Sequence, residues 1–333
     1  MSTSNTSAGA ENAANNTAAN NNAANAQNAA DTEPRPVTGT QFTLVRAGAT
    51  AIVTSLAAGL RHYDRGGISL VESYPEESIA PGAAGITLAP FANRIDGGLW
   101  ELDGKPQQLD ITEVPRNNAI HGLLRNTGYH ALETGEAHVL LEAIIHPQHG
   151  YPFLLRHQVR YSLESDGSLR VAQTLINDST KPAPFVLGAH PYFTLGDIPA
   201  EQLTLTVHAA TYVTANERMI PTGNQGVSGR FELRRGRPVP DSLMDTAFTD
   251  LETDDGVASH TLSAADGRSV SLWHDGSVKY VHVYVTDVFP GRSLAVAMEP
   301  MTGPANAFNS GDGLQWLAPG EDFTMNWGID SVL

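Results

Sequence analysis

The chain has 333 residues, of which 41% are hydrophobic, and a mean hydropathy of −0.21, so it has enough apolar material for a sizeable core. It contains no run of about 18 apolar residues, which excludes a membrane-spanning helix. The formal net charge of −16 makes nucleic acid and anionic membranes poor partners, because an acidic surface repels phosphate groups. The absence of cysteine excludes disulfides, iron–sulfur clusters, zinc–thiolate sites and a thiol nucleophile.

The first 40 residues differ in composition from the rest of the chain. Residues 1–30 contain nine Asn and eleven Ala, and no Val, Ile, Leu, Phe, Tyr or Trp occurs between Ser2 and Pro36. Such a segment cannot bury enough apolar surface to offset about 1–2 kcal/mol of backbone entropy per ordered residue. We therefore expect a disordered tail over residues 1–40 and one domain over residues 41–333. The tail lacks the basic start and apolar run of a secretory signal, so we expect a cytoplasmic protein.

From residue 41 onward the chain reads as β-structure. Val159, Tyr161 and Leu163 alternate before Asp166-Gly167, and a similar alternation surrounds Asp266-Gly267. Asp-Gly favours tight hairpin turns, and apolar residues at every second position predict half-buried strands. The sequence has 31 Gly and 20 Pro and shows no sustained 3.6-residue apolar stripe. These patterns predict an all-β fold: a large antiparallel β-sandwich with few short helices.

Four segments place titratable or cationic side chains beside Gly or Pro, at positions where sites are commonly built. They are residues 88–95 with Arg94, residues 117–122 with His121, residues 188–193 with His190, and residues 298–311 with Glu299. A His and a carboxylate suit proton transfer, because imidazole gains and loses a proton near neutral pH and a carboxylate accepts one.

Each of these residues also has a purely structural interpretation. Arg94 is close enough in sequence to pair with Asp96, His121 precedes a turn glycine, and a buried Glu299 can serve as a hydrogen-bonding group. His146 and His149 have the spacing of a metal pair, but the intervening Pro argues against a helix that would align the two rings. A surface loop is the better interpretation there, and we predict no metal site.

Four motifs occur in the order in which one enzyme family carries them. They are Asn93-Arg94-Ile95 followed by Gly97, Asn118-x-x-His121-Gly122, His190-Pro-Tyr-Phe193, and Glu299-Pro-x-Thr-Gly-Pro304 followed by Asn306-x-Phe308-Asn309. With these motifs the chain resembles the aldose 1-epimerase (galactose mutarotase) family from about Gln41 to Leu333. The resemblance implies a β-supersandwich fold. It also implies an isomerase that interconverts the α and β anomers of free aldoses without a cofactor or a metal.

The resemblance also implies roles for particular residues. His190 is expected to act as the general acid that protonates the ring oxygen, and Glu299 as the base that takes the proton of the C1 hydroxyl. The residues expected to bind the sugar are Asn93, Arg94, His121, Tyr192 of the His-Pro-Tyr-Phe motif, and Asp245 of an Asp-x-x-Phe motif. The expected partner is a small-molecule aldose, and the chain is expected to be a monomer or a homodimer.

Two other functions remain open at this stage. A hexose-6-phosphate 1-epimerase would need further basic groups beside Arg94 to neutralise phosphate, and Arg234, Arg235 and Arg237 are candidates. A non-catalytic carbohydrate-binding module is the second alternative. The presence of both His190 and Glu299 argues against it, because binding alone does not require an acid and a base.

Overall fold

The computed structural model describes residues 35–239 and 244–333, so the tail predicted over residues 1–40 lies mostly outside the described residues. Residues from Val37 to Leu333 form one compact unit. The N–H of Val37 donates to the carbonyl of Glu76, and Thr38 is buried, so the folded body begins a few residues before position 41. Within the described ranges, no helix is long and apolar enough to cross a membrane.

The predicted all-β architecture is confirmed: two large antiparallel sheets dominate the molecule. Strands are numbered along the chain. The nine-stranded sheet has the spatial order β10 (His130–Thr134), β11 (His138–Ile145), β12 (Leu155–Leu163), β13 (Leu169–Asn177), β27 (Asp322–Val332), β23 (Ser269–Asp275), β22 (Val257–Ser263), β17 (Thr204–Thr206) and β20 (Arg237–Pro238).

The eight-stranded sheet carries most of the cleft described below. Its strands are β19 (Pro221–Gly226), β18 (Ala209–Ala215), β21 (Met244–Leu251), β24 (Tyr280–Thr286), β25 (Ala295–Met301), β15 (Gly188–Ala189) and β5 (Thr87–Leu88), with β16 (Tyr192–Phe193) also paired to β25.

Smaller sheets and short helical turns complete the fold. The sheets are β1 (Gln41–Arg46) with β2 (Ala49–Thr54), β3 (Leu60–Arg65) and β4 (Ile68–Ser69); β6 (Arg94–Asp96) with β9 (Asn118–Ile120); β7 (Leu99–Leu102) with β8 (Lys105–Gln108); and β14 (Ala183–Phe185) with β26 (Gln315–Leu317). One α-helical turn, α1 (Ala307–Ser310), and 3₁₀ turns at Pro81–Ala83, Val114–Arg116, Ala200–Gln202 and Gly229–Phe231 are the helical elements of the described residues.

Both predicted hairpins are confirmed. Strands β12 and β13 pair around Asp166-Gly167, and β22 and β23 pair around Asp266-Gly267. Gly167 and Gly267 have φ of +87° and +94°, the left-handed conformation that glycine adopts without steric cost. The alternating residues of β12 are buried, so the register chosen by the hydrophobic pattern is the one that fills the core.

The central strands of the eight-stranded sheet, β24 and β25, are largely buried on both faces. Along β24, successive side chains alternate between the two faces. Val281, Val283 and Val285 of β24 join one buried cluster that also contains residues of the nine-stranded sheet, including Trp327. The residues between these valines point to the other face, where they reach the cleft. Alternation thus assigns apolar side chains to the core and polar ones to the site.

The small β6–β9 sheet forms one wall of that cleft and is held in place by a close backbone approach. Immediately after β9, His121 and Gly122 have φ of +64° and +78°, and the N–H of His121 donates to the carbonyl of Asn93 at 2.9 Å. A Cβ on Gly122 would lie 2.1 Å from the carbonyl oxygen of Ala89. Only glycine fits at this position without displacing the backbone.

We expect Gly122→Ala to destabilise the protein, because the new methyl group would collide with the Ala89 backbone. Gly320→Ala is a matched control, since Gly320 also has a φ of +78° but a Cβ there would meet no atom within 4 Å. The collision should cost about 1–3 kcal/mol beyond the cost of the control, as overpacking usually does. Urea unfolding of the two variants measures the difference. Equal stabilities would contradict this account of the wall.

Candidate active site

A cleft of about 710 Å³ lies over the polar face of the eight-stranded sheet. This volume falls within the usual range for small-molecule sites. Six of the seven residues proposed from the sequence line it: Asn93, Arg94, His121, His190, Asp245 and Glu299. They come from positions far apart in the chain, and sheet pairing brings them together.

His190 and Glu299 meet at the floor of the cleft. Glu299 lies in the middle of β25, and His190 lies in the short segment between β15 and β16. The Nε2 atom of His190 is 3.4 Å from Oε1 of Glu299, and the two residues are 4% and 1% exposed. Neither Oε2 of Glu299 nor Nδ1 of His190 has a hydrogen-bond partner among the described residues. Both groups therefore keep hydrogen-bonding capacity at the floor of the cleft.

Backbone and aromatic contacts fix the His190 ring. Its backbone N–H donates to the carbonyl of Ile86, and its carbonyl accepts from the N–H of Gly85. Tyr192 stacks on it at 5.1 Å between ring centroids, and Tyr192 is not among the cleft-lining residues. The sequence proposed Tyr192 as a sugar-binding residue; the structure places its buried ring against His190, where it supports the imidazole from outside the lining of the cleft.

Burial lowers the pKa of His190, since the charged imidazole loses its water, and the negative charge of Glu299 offsets part of this effect. His121 packs edge-on against His190, with 5.3 Å between ring centroids. Burial also holds the pKa of His121 well below its usual range, and the charges of His190 and Arg94 lower it further. His121 is therefore a neutral imidazole at neutral pH, able to donate or accept one hydrogen bond.

Arg94 is held by a residue that the sequence analysis missed. Its Nε and Nη2 atoms donate to the two carboxylate oxygens of Glu113 at 2.9 and 3.0 Å, and its Nη1 donates to Oδ1 of Asn93 at 3.3 Å. Asp96, the partner suggested by sequence proximity, pairs instead with Arg218. Glu113 belongs to no recognisable sequence motif. The sequence could have indicated only that Arg94, if buried, needs a carboxylate partner, and not which carboxylate it is.

The second missed residue is His282. It lies on β24, and its Nε2 is 2.5 Å from Oδ1 of Asp245 on β21. Burial alone would raise the pKa of Asp245, but the hydrogen bond and charge of His282, together with Arg94, lower it to about 2. For His282, burial acts to lower the pKa, and the hydrogen bond to Asp245 and the charge of Glu299 outweigh it, so the pKa is raised. The two side chains form an ion pair whenever His282 is protonated.

The three arginines proposed as phosphate ligands lie away from the cleft. Arg234 and Arg235 line a separate surface pocket with Glu232 and Glu252, and Arg237 donates to the carbonyl of Gly229. The lining of the cleft includes two other arginines besides Arg94, namely Arg116 and Arg125. Arg116 pairs with Glu113.

The described ranges contain no group of three or more His, Asp or Glu side chains placed to hold a metal ion. At the His146–His149 segment, His149 pairs with Asp110 through Nε2 at 2.9 Å, and both side chains are exposed. The structure thus gives His149 an ordinary surface ion pair.

Comparison with known proteins identifies the class to which this fold and cleft belong. The sequence profile of the aldose 1-epimerase family matches residues 40–329, so the chain belongs to the aldose 1-epimerase family. It is 31% identical over 281 residues to the uncharacterized protein YihR of Escherichia coli, covering 84% of this chain and 89% of that protein.

Two further similarities concern galactose enzymes. The chain is 30% identical over 174 residues to human galactose mutarotase, which covers 48% of each chain. The crystal structure of galactose 1-epimerase from Lactobacillus acidophilus superposes with a TM-score of 0.73 at 22% identity, covering 87% of this chain and 94% of that chain. At this identity the superposition demonstrates a common fold, the predicted galactose mutarotase-like β-supersandwich.

We expect Glu113→Gln to destabilise the protein, because Arg94 would remain buried after losing its bidentate carboxylate, leaving the more distant Asp245 at 3.7 Å from its Nη2. The expected loss is about 1–3 kcal/mol, the usual penalty for a buried polar group left poorly satisfied. Glu101→Gln is the control, since Glu101 is exposed on the neighbouring β7 strand. Urea unfolding at neutral pH makes the comparison, and equal stability of both variants would contradict the role given to Glu113.

Proposed function

We propose that this protein is an aldose 1-epimerase that interconverts the α and β anomers of free hexoses by acid–base ring opening and closure. The observation that carries the proposal is the contact between His190 Nε2 and Glu299 Oε1, 3.4 Å apart at the floor of a small-molecule cleft. A hemiacetal carbon bears two oxygens, and ring opening takes a proton from one and delivers a proton to the other. Two adjacent side chains, one that accepts a proton from the sugar and one that donates a proton to it, suit that task.

The proton steps balance without any added reagent. Glu299 removes the proton of the C1 hydroxyl, the carbonyl forms as the bond between C1 and the ring oxygen breaks, and His190 protonates the ring oxygen. After rotation about the C1–C2 bond, His190 takes the proton back from the C5 hydroxyl, which attacks the other face of the carbonyl. Glu299 then returns its proton to O1. A lowered pKa makes His190 a ready proton donor once it is protonated.

The remaining cleft residues offer hydrogen bonds for sugar hydroxyls. Arg94 is fixed by Glu113 and Asn93, Asp245 is ionised, and His121 is a neutral imidazole whose Nδ1 has no partner among the described residues. Fixed donors and acceptors of this kind orient a neutral polyol without needing a net charge. We assign substrate binding to Asn93, Arg94, His121 and Asp245.

The main test is Glu299→Gln, which preserves shape but removes the base. We expect a rate loss of about 10²–10⁴-fold, the usual contribution of one positioned acid or base. The measurement is polarimetry of freshly dissolved α-D-glucose and α-D-galactose, with Glu101→Gln as the control. His190→Asn should lose activity to a similar extent. Most of the wild-type rate surviving in Glu299→Gln would show that the base is misassigned.

The same assay separates an enzyme from a binding module. If the wild-type protein binds the sugar while anomerisation proceeds at the rate of buffer alone, the protein is a non-catalytic carbohydrate-binding module.

One observation favours a second candidate substrate, a phosphorylated hexose. Arg125 lies in the cleft wall, and none of the described carboxylates pairs with it; its Nη1 donates to the carbonyl of Ile120 at 3.4 Å. Burial without a counter-charge lowers its pKa. A phosphate would supply that charge.

Rates on glucose and glucose 6-phosphate distinguish the two substrates. Since Arg125 is a single unmatched cation and Arg116 is already paired, we expect the larger kcat/KM on glucose. A strong preference for glucose 6-phosphate would instead assign the second candidate.

A further inference from the structure

His282 occupies a position that makes it more than a structural partner of Asp245. In the β24–β25 pairing it lies directly opposite Glu299, and both side chains point to the cleft face of the sheet. Cross-strand neighbours of this kind have Cβ atoms about 4.5–5.5 Å apart. The residue is 6% exposed, and its Nδ1 is 3.4 Å from Nδ2 of Asn93. The His282 imidazole thus contacts both the floor of the cleft, through Asp245, and the side of the β6–β9 wall, through Asn93.

Charged groups face His282 from each neighbouring element. Asp245 reaches it from β21, Glu299 from β25 and Arg94 from β6. The two carboxylates stabilise the protonated form of His282, and their effect on its pKa is larger than the opposing effects of Arg94 and burial. His282 therefore carries its positive charge at the lower pH values at which the proton on His190 is gained and lost.

We propose that His282 is a further positioning residue of this site: held by Asp245, its imidazolium sets the proton balance between His190 and Glu299. The inference rests on the proposed function for its catalytic meaning, but the electrostatic effect exists without substrate. The positive charge of His282 opposes protonation of His190, and the negative charges of Glu299 and Asp245 favour it. His282 thereby limits how firmly His190 holds the proton that it must deliver to the ring oxygen.

The sign of the effect follows from these charges. Removing the imidazolium leaves Asp245 and Glu299 to act on His190 without the opposing charge, so the pKa of His190 rises. The alkaline limb of the kcat/KM profile, which reports loss of the proton from His190, then moves to higher pH. A group that only supports the fold would lower the amount of active protein without moving the limb.

The test is His282→Gln, which keeps an amide donor for Asp245 but removes the charge. We expect the titration of the His190 ring, followed by NMR, to move up by about one pH unit, the lower end of the effect of a nearby charge. Its signals are assigned among the 12 histidines by comparison with His190→Asn. The alkaline limb of kcat/KM, measured by polarimetry, should move in the same direction.

His149→Gln is the matched control, because His149 also pairs with an aspartate but lies on the exposed surface. It should leave both the titration of His190 and the rate profile unchanged. If His282→Gln leaves the titration of His190 where it was, the inference is wrong. If the NMR shift occurs while the wild-type protein shows no anomerisation, the electrostatic inference stands and the proposed function fails.

Asp245→Asn tests the same pair if His282→Gln does not fold, as judged by circular dichroism. Loss of the carboxylate removes the main support of the imidazolium, so the pKa of His282 should fall towards or below its ordinary value. An unchanged titration of His282 in that variant would overturn the claim that Asp245 holds it charged.

Discussion

The arrangement of the cleft depends on one unfavourable requirement, the burial of a carboxylate. Glu299 is 1% exposed, and burying a lone negative charge is expensive unless other groups compensate for the lost water. His190 contacts it directly, and His282 adds a positive charge from the adjacent strand. Because each compensating group is itself buried, each needs its own support: Tyr192 under His190, and Asp245 beside His282. The polar network therefore extends outward from this carboxylate.

The sequence was a good guide to the fold because β-structure leaves a local signature. The period-2 runs around Asp166-Gly167 and Asp266-Gly267 identified hairpins correctly, since turn chemistry and alternation act over few residues. The same rule places Glu299 and His282 on one face once their strands are known to pair. The pairing of β24 with β25 itself is a contact between distant parts of the chain, and the local sequence pattern does not reveal it.

The site was predictable only where its residues lie in recognisable motifs. His190, Glu299, Asn93, Arg94 and His121 do, and the structure brings them into one cleft. Glu113 and His282 act as partners of other residues, and the identity of such a partner depends on three-dimensional proximity. Tyr192 belongs to the same motif as His190, and the motif alone does not tell that its ring packs against His190 rather than lining the cleft.

The floor of the cleft and its small wall differ in construction. His282 and Glu299 belong to central strands of a large sheet, whereas Asn93, Arg94 and His121 sit on or beside a pair of three-residue strands. Bonds from other segments hold this small wall, among them the Arg94–Glu113 pair and the N–H of Asn306 donating to the carbonyl of Arg94. Under the proposed function, amino-acid changes in the small wall would alter which sugar hydroxyls are bound, while His190 and Glu299 would keep their places at the floor of the cleft. Such a division would let an enzyme of the proposed kind change its choice of sugar without changing its acid and base.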